Sequence, residues 1–151
     1  MGRAQICIVD DNATWLASLG RLIEDADLGD VVSYRHPAEA LTSLRDRHPD
    51  VLLVDYAMPG MNGIELLTAL HATGVSPRTP VALVAASLTD PIKLQAWRAG
   101  VMEVLPKSIS GQEMALRLRN LIRMAAPPVA ALETAVQTAS DRASAARRAS
   151  A

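Results

Sequence analysis

The sequence lacks several features that would point to particular classes of protein. Phenylalanine is absent and aromatic residues make up 3 % of the 151 residues, so a core must be built from aliphatic and alanine side chains. Cys7 is the single cysteine, which excludes an internal disulfide framework. The apolar residues around it predict a buried, inert thiol.

A strong charge of one sign and a long apolar run are also missing. The formal net charge of −1 gives no electrostatic reason to expect nucleic acid or a membrane surface as the main partner. No apolar run approaches the length that crosses a bilayer, and no basic and then apolar leader opens the chain. We therefore expect a cytoplasmic protein that binds neither nucleic acid nor membrane directly.

Short apolar runs alternate with segments of helical periodicity through the first 124 residues. Five such units indicate an α/β fold, a doubly wound, five-stranded parallel sheet with helices on both faces. The predicted helices begin at capping or turn residues, namely Asn12, Pro37, Asn62-Gly63, Asp90-Pro91 and Ser110. Gly29, Pro49 and Gly100 are expected to end the first, second and fourth helical regions. The spacing of Ser110 and Glu113 predicts a capping box at the fifth helix.

Two of the apolar runs end in carboxylates. Residues 6–9 are followed by Asp10 and Asp11, and residues 51–54 are followed by Asp55. In open α/β sheets the carboxyl ends of the strands form the binding crevice, so these three acids converge if the two strands are neighbours. The ordinary alternative is that acidic residues often end strands, because Asp favours turns.

Three converging carboxylates suit a hard cation and phosphoryl chemistry. Mg²⁺ prefers oxygen ligands, which Asp10, Asp11, Asp55 and the backbone carbonyl of Ala57 could supply. An ionised aspartate is also a competent nucleophile toward phosphorus. Lys107 follows the fifth predicted strand and could pair with a phosphoryl oxygen in the same crevice. Taken alone, Lys107 would be interpreted as an ordinary surface lysine.

These residues resemble the receiver domain of two-component response regulators, including the chemotaxis regulators, over about residues 3–124. The resemblance is carried by Val9-Asp10-Asp11-Asn12, by residues 55–63, by Ala99-Gly100 and by Pro106-Lys107-Ser108. It implies a flavodoxin-like strand order 2-1-3-4-5. It also implies Asp55 as phosphoacceptor, Asp10 and Asp11 as magnesium ligands, and Lys107 as the partner of the phosphoryl group. The implied phosphodonor is a sensor histidine kinase or a phosphotransfer protein.

Two positions depart from the pattern of that family. The family has a Ser or Thr at the end of strand four, where counting back from Gly100 and Lys107 places Ala85. Ser87 could replace it only if the following loop is shorter, because two residues along a strand span roughly 6–7 Å. The family's switch aromatic on strand five falls at Val104, which has no ring. We therefore expect intact coordinating residues and an altered readout.

Other functions remain open at this point. A pseudo-receiver that acts through protein contacts alone is supported only by Ala85 and Val104. An aspartate-nucleophile phosphatase would need two aspartates separated by one residue, whereas Asp10 and Asp11 are adjacent, so we expect no enzyme. The chain can also be the receiver fragment of a longer regulator with an output domain. Residues 117–124 are similar to the last helix of receivers fused to cyclic-dinucleotide enzymes.

Four further side chains are expected to be structural or solvated. His36, His48 and His71 share no metal-ligand spacing and are expected at the surface. Trp97 on the fourth predicted helix is expected to pack, with an exposed position in a partner interface as the alternative.

Residues 126–151 form an Ala-, Ser- and Arg-rich tail after the receiver-like residues 1–125. Pro127 and Pro128 interrupt the chain there. Apolar positions then recur in steps of three and four, at Val129, Leu132, Val136, Ala139, Ala143 and Ala146. Read backwards, the same frame passes through Ala125, Ile122, Leu118 and Ala115. The tail is either partly disordered, since alanine buries little surface, or a helix that joins two receivers in a homodimer or leads to an output domain.

Overall fold

A parallel sheet organises the structure, which is a computed structural model describing residues 2–75, 77–125 and 129–150. Its five strands are hydrogen-bonded in the order β2-β1-β3-β4-β5, and every neighbouring pair is parallel. This order confirms the predicted flavodoxin-like, doubly wound sheet. The strands are β1 (Gln5–Val9), β2 (Asp30–Tyr34), β3 (Val51–Asp55), β4 (Val81–Ala85) and β5 (Glu103–Pro106).

Helices alternate with these strands as predicted. They are α1 (Ala13–Asp25), α2 (Pro37–Ser43), α3 (Gly63–Ala72), α4 (Asp90–Arg98) and α5 (Gly111–Met124). The side chains of Asn12, Asn62 and Ser110 each accept a hydrogen bond from the backbone N–H three residues later, at 2.9–3.1 Å. These caps satisfy N–H groups that the first helical turn leaves without a partner, so α1, α3 and α5 each begin at a capping side chain.

Some predicted helix boundaries are wrong. α1 ends at Asp25, short of Gly29, and α2 ends at Ser43, short of Pro49. The capping box predicted for α5 is also missing, because the Glu113 carboxylate accepts a hydrogen bond from Arg117 at 3.2 Å instead of turning back to Ser110. The reciprocal box forms at α3, where the Asn62 N–H donates to the Glu65 carboxylate at 2.8 Å.

Aliphatic side chains form a core on each face of the sheet. Alternate residues of β3 supply the two faces: Leu52 and Val54 pack under α2, α3 and α4, while Val51 and Leu53 pack under α1 and α5. β3 and β4 are buried at every residue, as expected for parallel strands covered by helices on both sides. Cys7 lies in this core at 2 % exposure, and burial raises the pKa of its thiol to about 12.

The tail contains a helix, α6 (Val129–Ala149). Its described side chains, from Glu133 onward, are exposed except for the partly buried Ser144. Pro127, Pro128 and the side chains of Val129 and Leu132 lie outside the described residues. Leu118 is fully buried in the core under α5, so the apolar seam of the tail does not extend backwards through that position. No helix among the described residues has the length and hydropathy to cross a membrane.

Candidate functional site

The three predicted acids converge at the carboxyl edge of the sheet. Asp10 follows β1 and Asp55 ends β3, and these strands are direct neighbours with Val9 paired to Val54. One carboxylate oxygen from each of Asp10, Asp11 and Asp55 lies within 4.8 Å of the other two. Asp10 and Asp55 are buried and Asp11 is half-buried. The strand order therefore produces a compact group of oxygen atoms at the mouth of the crevice.

Lys107, which directly follows the edge strand β5, completes this group. Its ammonium lies 2.7 Å from Asp10 Oδ2 and 3.4 Å from Asp55 Oδ2. The backbone N–H of Lys107 donates to the carbonyl of Ala85 at 2.9 Å, which continues the pairing of β5 with β4 by one residue. The structure thus places Lys107 in the crevice, and the alternative of an ordinary surface lysine is wrong.

Burial and the neighbouring charges shift the pKa values of Asp55 and Lys107. Burial raises the pKa of Asp55 to about 6, the charge of Asp10 adds to this shift, and Lys107 opposes it. Burial alone would lower the pKa of Lys107, but its contact with Asp10 and the charges of Asp10 and Asp55 outweigh burial and raise it. At neutral pH the site therefore holds a charged ammonium beside an Asp55 that is close to its titration range.

One buried oxygen indicates that the site suits a metal ion. Asp10 Oδ1 accepts the N–H of Asn12 at 2.8 Å. Asp10 Oδ2 is buried and accepts no hydrogen bond of regular geometry from the described residues, and its close contact is the ion pair with Lys107. Buried carboxylate oxygens are costly when they lack hydrogen bonds. The oxygens of Asp10, Asp11 and Asp55 are the ligands that Mg²⁺ prefers, so these residues fit that ion.

The backbone carbonyl of Ala57 stays a predicted ligand. Ala57 is exposed and lies two residues beyond Asp55, in the turn that follows β3.

Gly63 has a role that the sequence does not indicate. A Cβ atom at this position would overlap the carbonyl oxygen of Asp55 and lie 2.9 Å from side-chain atoms of Val54 and Leu83. The N–H of Gly63 donates to the carbonyl of Tyr56 at 2.8 Å. Gly63 therefore does more than form a turn: it lets α3 begin directly against the strand that carries Asp55.

Trp15 is a second residue whose position in the site could not be predicted. The periodicity of α1 indicates only that Trp15 faces the core, and it does pack partly against the α1–α5 core. Its ring also lies near the ammonium of Lys107, with 5.5 Å between Lys107 Nζ and the ring centroid. Such a distance is within the range of a cation–π contact.

The positions expected to differ from the family pattern lie at and after the end of β4 and within β5. Ala85 ends β4 at 2 % exposure, one residue beyond the Val84 that pairs with Asp55. Ser87 is exposed in the loop after β4, and no hydrogen bond among the described residues involves its hydroxyl. Val104 is half-buried against the core under α4. This side of the crevice presents apolar groups where the neighbouring side presents carboxylates.

The remaining candidates lie outside the crevice. His36 and His48 are exposed and His71 is half-buried at the end of α3, so the three histidines share no site. Trp97 is 53 % exposed, and the prediction that it packs is wrong because Ala96 is the only buried residue of α4.

Comparison with known protein families agrees with this arrangement. A sequence family described as the response regulator receiver domain matches residues 6–119. The solved signal receiver domain of an HD domain-containing protein from Pseudomonas fluorescens superposes with a TM-score of 0.72. It is 25 % identical in sequence, and the match covers 80 % of this chain and 95 % of that one.

Curated relatives are longer proteins. The cyclic di-GMP phosphodiesterase response regulator RpfG of Xanthomonas campestris is 34 % identical over 120 residues, which are 79 % of this chain and 32 % of RpfG. The phosphate regulon transcriptional regulatory protein PhoB of Pseudomonas aeruginosa is 28 % identical over 122 residues, 81 % of this chain and 53 % of PhoB. The chain thus spans about a third to a half of the length of these relatives.

Proposed function

Because this chain belongs to the response regulator receiver domain family, we propose that it accepts a phosphoryl group on Asp55, with Mg²⁺, as the receiver of a two-component phosphorelay. The observation that carries this proposal is the convergence of Asp10, Asp11, Asp55 and Lys107 at one edge of the sheet. The proposed phosphodonor is a sensor histidine kinase or a phosphotransfer protein. We also propose that the protein is cytoplasmic, as expected from the sequence.

Asp55 is the nucleophile in this proposal. It ends a fully buried strand, so the backbone holds its carboxylate at a fixed place in the crevice. With a pKa of about 6, Asp55 is mostly ionised at neutral pH and can attack phosphorus. A bond forms between an Asp55 carboxylate oxygen and phosphorus, and the bond between phosphorus and the donor's leaving atom breaks. The product is an acyl phosphate, and the leaving group departs with the bonding electron pair.

Lys107 and the two other acids hold the reacting group. Lys107 lies 3.4 Å from Asp55 Oδ2, so its ammonium is placed to pair with an oxygen of a phosphoryl group on Asp55. Asp10, Asp11 and Asp55 would hold Mg²⁺, which when bound supplies positive charge to offset the carboxylate and phosphoryl charges. In this reaction the protein mainly positions groups and neutralises charge.

A pseudo-receiver is the second candidate, favoured by the apolar side of the crevice. Ala85 offers no hydroxyl to bond a phosphoryl group on Asp55, and Val104 offers no ring to swing inward in response. In that case the chain would act through protein contacts alone.

Two of the curated relatives carry the names of enzymes. RpfG is named a phosphodiesterase and a second relative a methylesterase/glutaminase, and each matches this chain over about a third of its length. We propose that this chain is not itself an enzyme and that an output, where it exists, lies in another domain or protein. The similarity of residues 117–124 to receivers fused to cyclic-dinucleotide enzymes supports such a domain.

Labelling by acetyl phosphate tests the proposal. We expect intact-mass measurement to show one added phosphoryl group in the presence of Mg²⁺, and none for Asp55→Asn. Asp46→Asn is the matched control, because Asp46 is an exposed carboxylate outside the crevice. Labelling that survives Asp55→Asn would refute the assignment of Asp55. If the unmodified chain is never labelled, the pseudo-receiver is the better account.

A further inference from the structure

Four contacts form a closed ring around the edge of the site. Asp10 Oδ1 accepts the N–H of Asn12 at 2.8 Å, and Asn12 Oδ1 accepts the N–H of Trp15 at 3.0 Å. The Trp15 ring centroid lies 5.5 Å from Lys107 Nζ, and Lys107 Nζ lies 2.7 Å from Asp10 Oδ2. The N-terminal cap of α1 therefore links Asp10, a proposed metal ligand, to Trp15, whose ring lies near Lys107.

We propose that Trp15 is a positioning residue for Lys107, which it holds over the acidic crevice while the ammonium changes from a carboxylate partner to a phosphoryl partner. This inference rests on the proposed function of Asp55. Trp15 itself touches neither Asp55 nor a phosphoryl group in the proposal; it acts through the lysine.

The chemistry of the two side chains supports this role. A lysine ammonium is a compact charge on a flexible stem, so keeping it in one place costs conformational entropy. An aromatic face attracts the ammonium without offering a negative group that competes for it. The ring is restrained because Trp15 is half-buried against the core, and the backbone N–H of Trp15 donates to Asn12 Oδ1 in the helix cap. Lys107 can therefore exchange oxygen partners and keep the same aromatic neighbour.

The departure at Ala85 makes this restraint more important in this chain. A methyl group ends β4, and the hydroxyl of the exposed Ser87 has no hydrogen bond among the described residues. Lys107 is then the one cationic side chain that the described part of the structure places within 4 Å of Asp55. When a single side chain of the protein pairs with the phosphoryl oxygens, small losses in its positioning appear directly in the reaction rate.

The contact can be tested without metal or phosphodonor. The chain has two lysines, Lys93 and Lys107, so selective labelling of lysine gives two sets of side-chain NMR signals. We expect the ε-protons of Lys107 to be shifted upfield by the indole ring and to lose this shift in Trp15→Leu. Trp97→Leu is the matched control, because Trp97 is the other tryptophan and lies exposed on α4; it should leave the Lys107 signals unchanged. An unchanged Lys107 shift in Trp15→Leu would overturn the proposal.

The consequence is measured as the rate of labelling by acetyl phosphate with Mg²⁺. We expect Trp15→Leu to slow labelling about 3- to 10-fold, and Trp15→Phe, which keeps an aromatic face, to stay within about twofold. Trp97→Leu should label at the normal rate. Equal losses in the Phe and Leu variants would contradict the role of the ring.

A double-mutant cycle separates positioning from packing. In a Lys107→Met background, Trp15→Leu should cause no further loss of labelling, because the ring would no longer have an ammonium to hold. A loss of the same size in both backgrounds would show that Trp15 acts only through the core and would overturn the proposal. If the unmodified chain is not labelled at all, the proposed function fails. In that case the NMR comparison still decides whether Trp15 holds Lys107.

Discussion

The two sides of the carboxyl edge of the sheet differ in chemistry although they belong to one crevice. On the side of β1 and β3, Asp10, Asp11 and Asp55 lie with oxygens within 4.8 Å of one another. On the side of β4 and β5, Ala85 ends β4 and the half-buried Val104 lies within β5. In the proposed function the first side accepts the phosphoryl group together with Lys107, which follows β5, whereas Ala85 and Val104 lack the hydroxyl and the ring of the family pattern. We therefore propose that acceptance of the phosphoryl group and its readout are separable in this protein.

The two sides also differ in their contribution to the stability of the folded protein. The acidic side contains Asp10 Oδ2, a buried oxygen that accepts no regular hydrogen bond from the described residues and contacts Lys107, and an Asp55 with a raised pKa. The β4 side is closely packed and apolar, with all five residues of the strand buried. Groups that are unfavourable without a ligand are typical of functional sites. By this criterion the acidic side is the candidate ligand site, whereas the buried β4 strand contributes to the core.

The largest effect is expected from a substitution on the acidic side of the crevice. Asp11→Asn removes a carboxylate that makes no ion pair with Lys107, so it changes the proposed metal site and leaves the lysine contacts in place. We expect the affinity for Mg²⁺, measured by titration calorimetry, to fall at least about 10- to 100-fold, the loss seen even for outer-shell partners of metal ligands. Asp46→Asn should bind Mg²⁺ as the unmodified chain does. Equal affinities for the unmodified chain and Asp11→Asn would mean that Asp11 is not a ligand.

The next effect is on the stability of the metal-free protein. The pKa of Asp55 is about 6 when folded and 3.8 as an ordinary value, so the folded state binds this proton more tightly. The stabilising contribution of protonated Asp55 is therefore fully present below about pH 4 and is lost as pH rises through about 6. Relative to Asp55→Asn, the unmodified chain should lose about 1–3 kcal/mol of unfolding free energy over that window.

Urea unfolding with a chelator present at pH 4, 5, 6 and 7 measures this difference. Asp46→Asn again serves as control, because an exposed carboxylate outside the crevice should leave the pH dependence of the unmodified chain intact. If the difference between the unmodified chain and Asp55→Asn stays constant across the window, the electrostatic cost ascribed to the acidic side is wrong.

Much of the fold and of the acidic side could be predicted because the signals are local. Short apolar runs identify the strands, and Asn12, Asn62 and Ser110 mark helix starts through bonds to residues three positions away. The convergence of Asp10 with Asp55 then follows from one assumption, that β1 and β3 are neighbours. In the observed strand order β1 and β3 are indeed adjacent.

The features that could not be predicted depend on contacts between distant segments. Gly63 approaches the Asp55 carbonyl, and Trp15 approaches Lys107. Both contacts depend on how α3 and α1 pack against the sheet. Competition between side chains also matters, since Arg117 binds the Glu113 carboxylate that the capping box at Ser110 would have used. Trp97 is exposed because α4 buries so little of its surface, which the identity of its residues does not reveal.

The smallest effect is expected from adding the hydroxyl that the β4 side of the crevice lacks. Ala85→Ser places a hydroxyl at the end of β4, one residue beyond the partner of Asp55. In the unmodified chain, adding Mg²⁺ and beryllofluoride as a phosphoryl mimic should protect amides near Asp55 from exchange and change residues 87–91 little. In Ala85→Ser, a hydrogen bond from the new hydroxyl to the mimic should increase protection of residues 87–91 about 10-fold.

Ala86→Ser is the matched control for that test, because it adds the same hydroxyl at the next position, where the side chain is exposed. It should behave as the unmodified chain does. If residues 87–91 are already strongly protected in the unmodified chain, the hydroxyl of Ser87 must reach the site after a movement of the loop. The two sides of the crevice would then be coupled through Ser87, and acceptance and readout would not be separable in this protein.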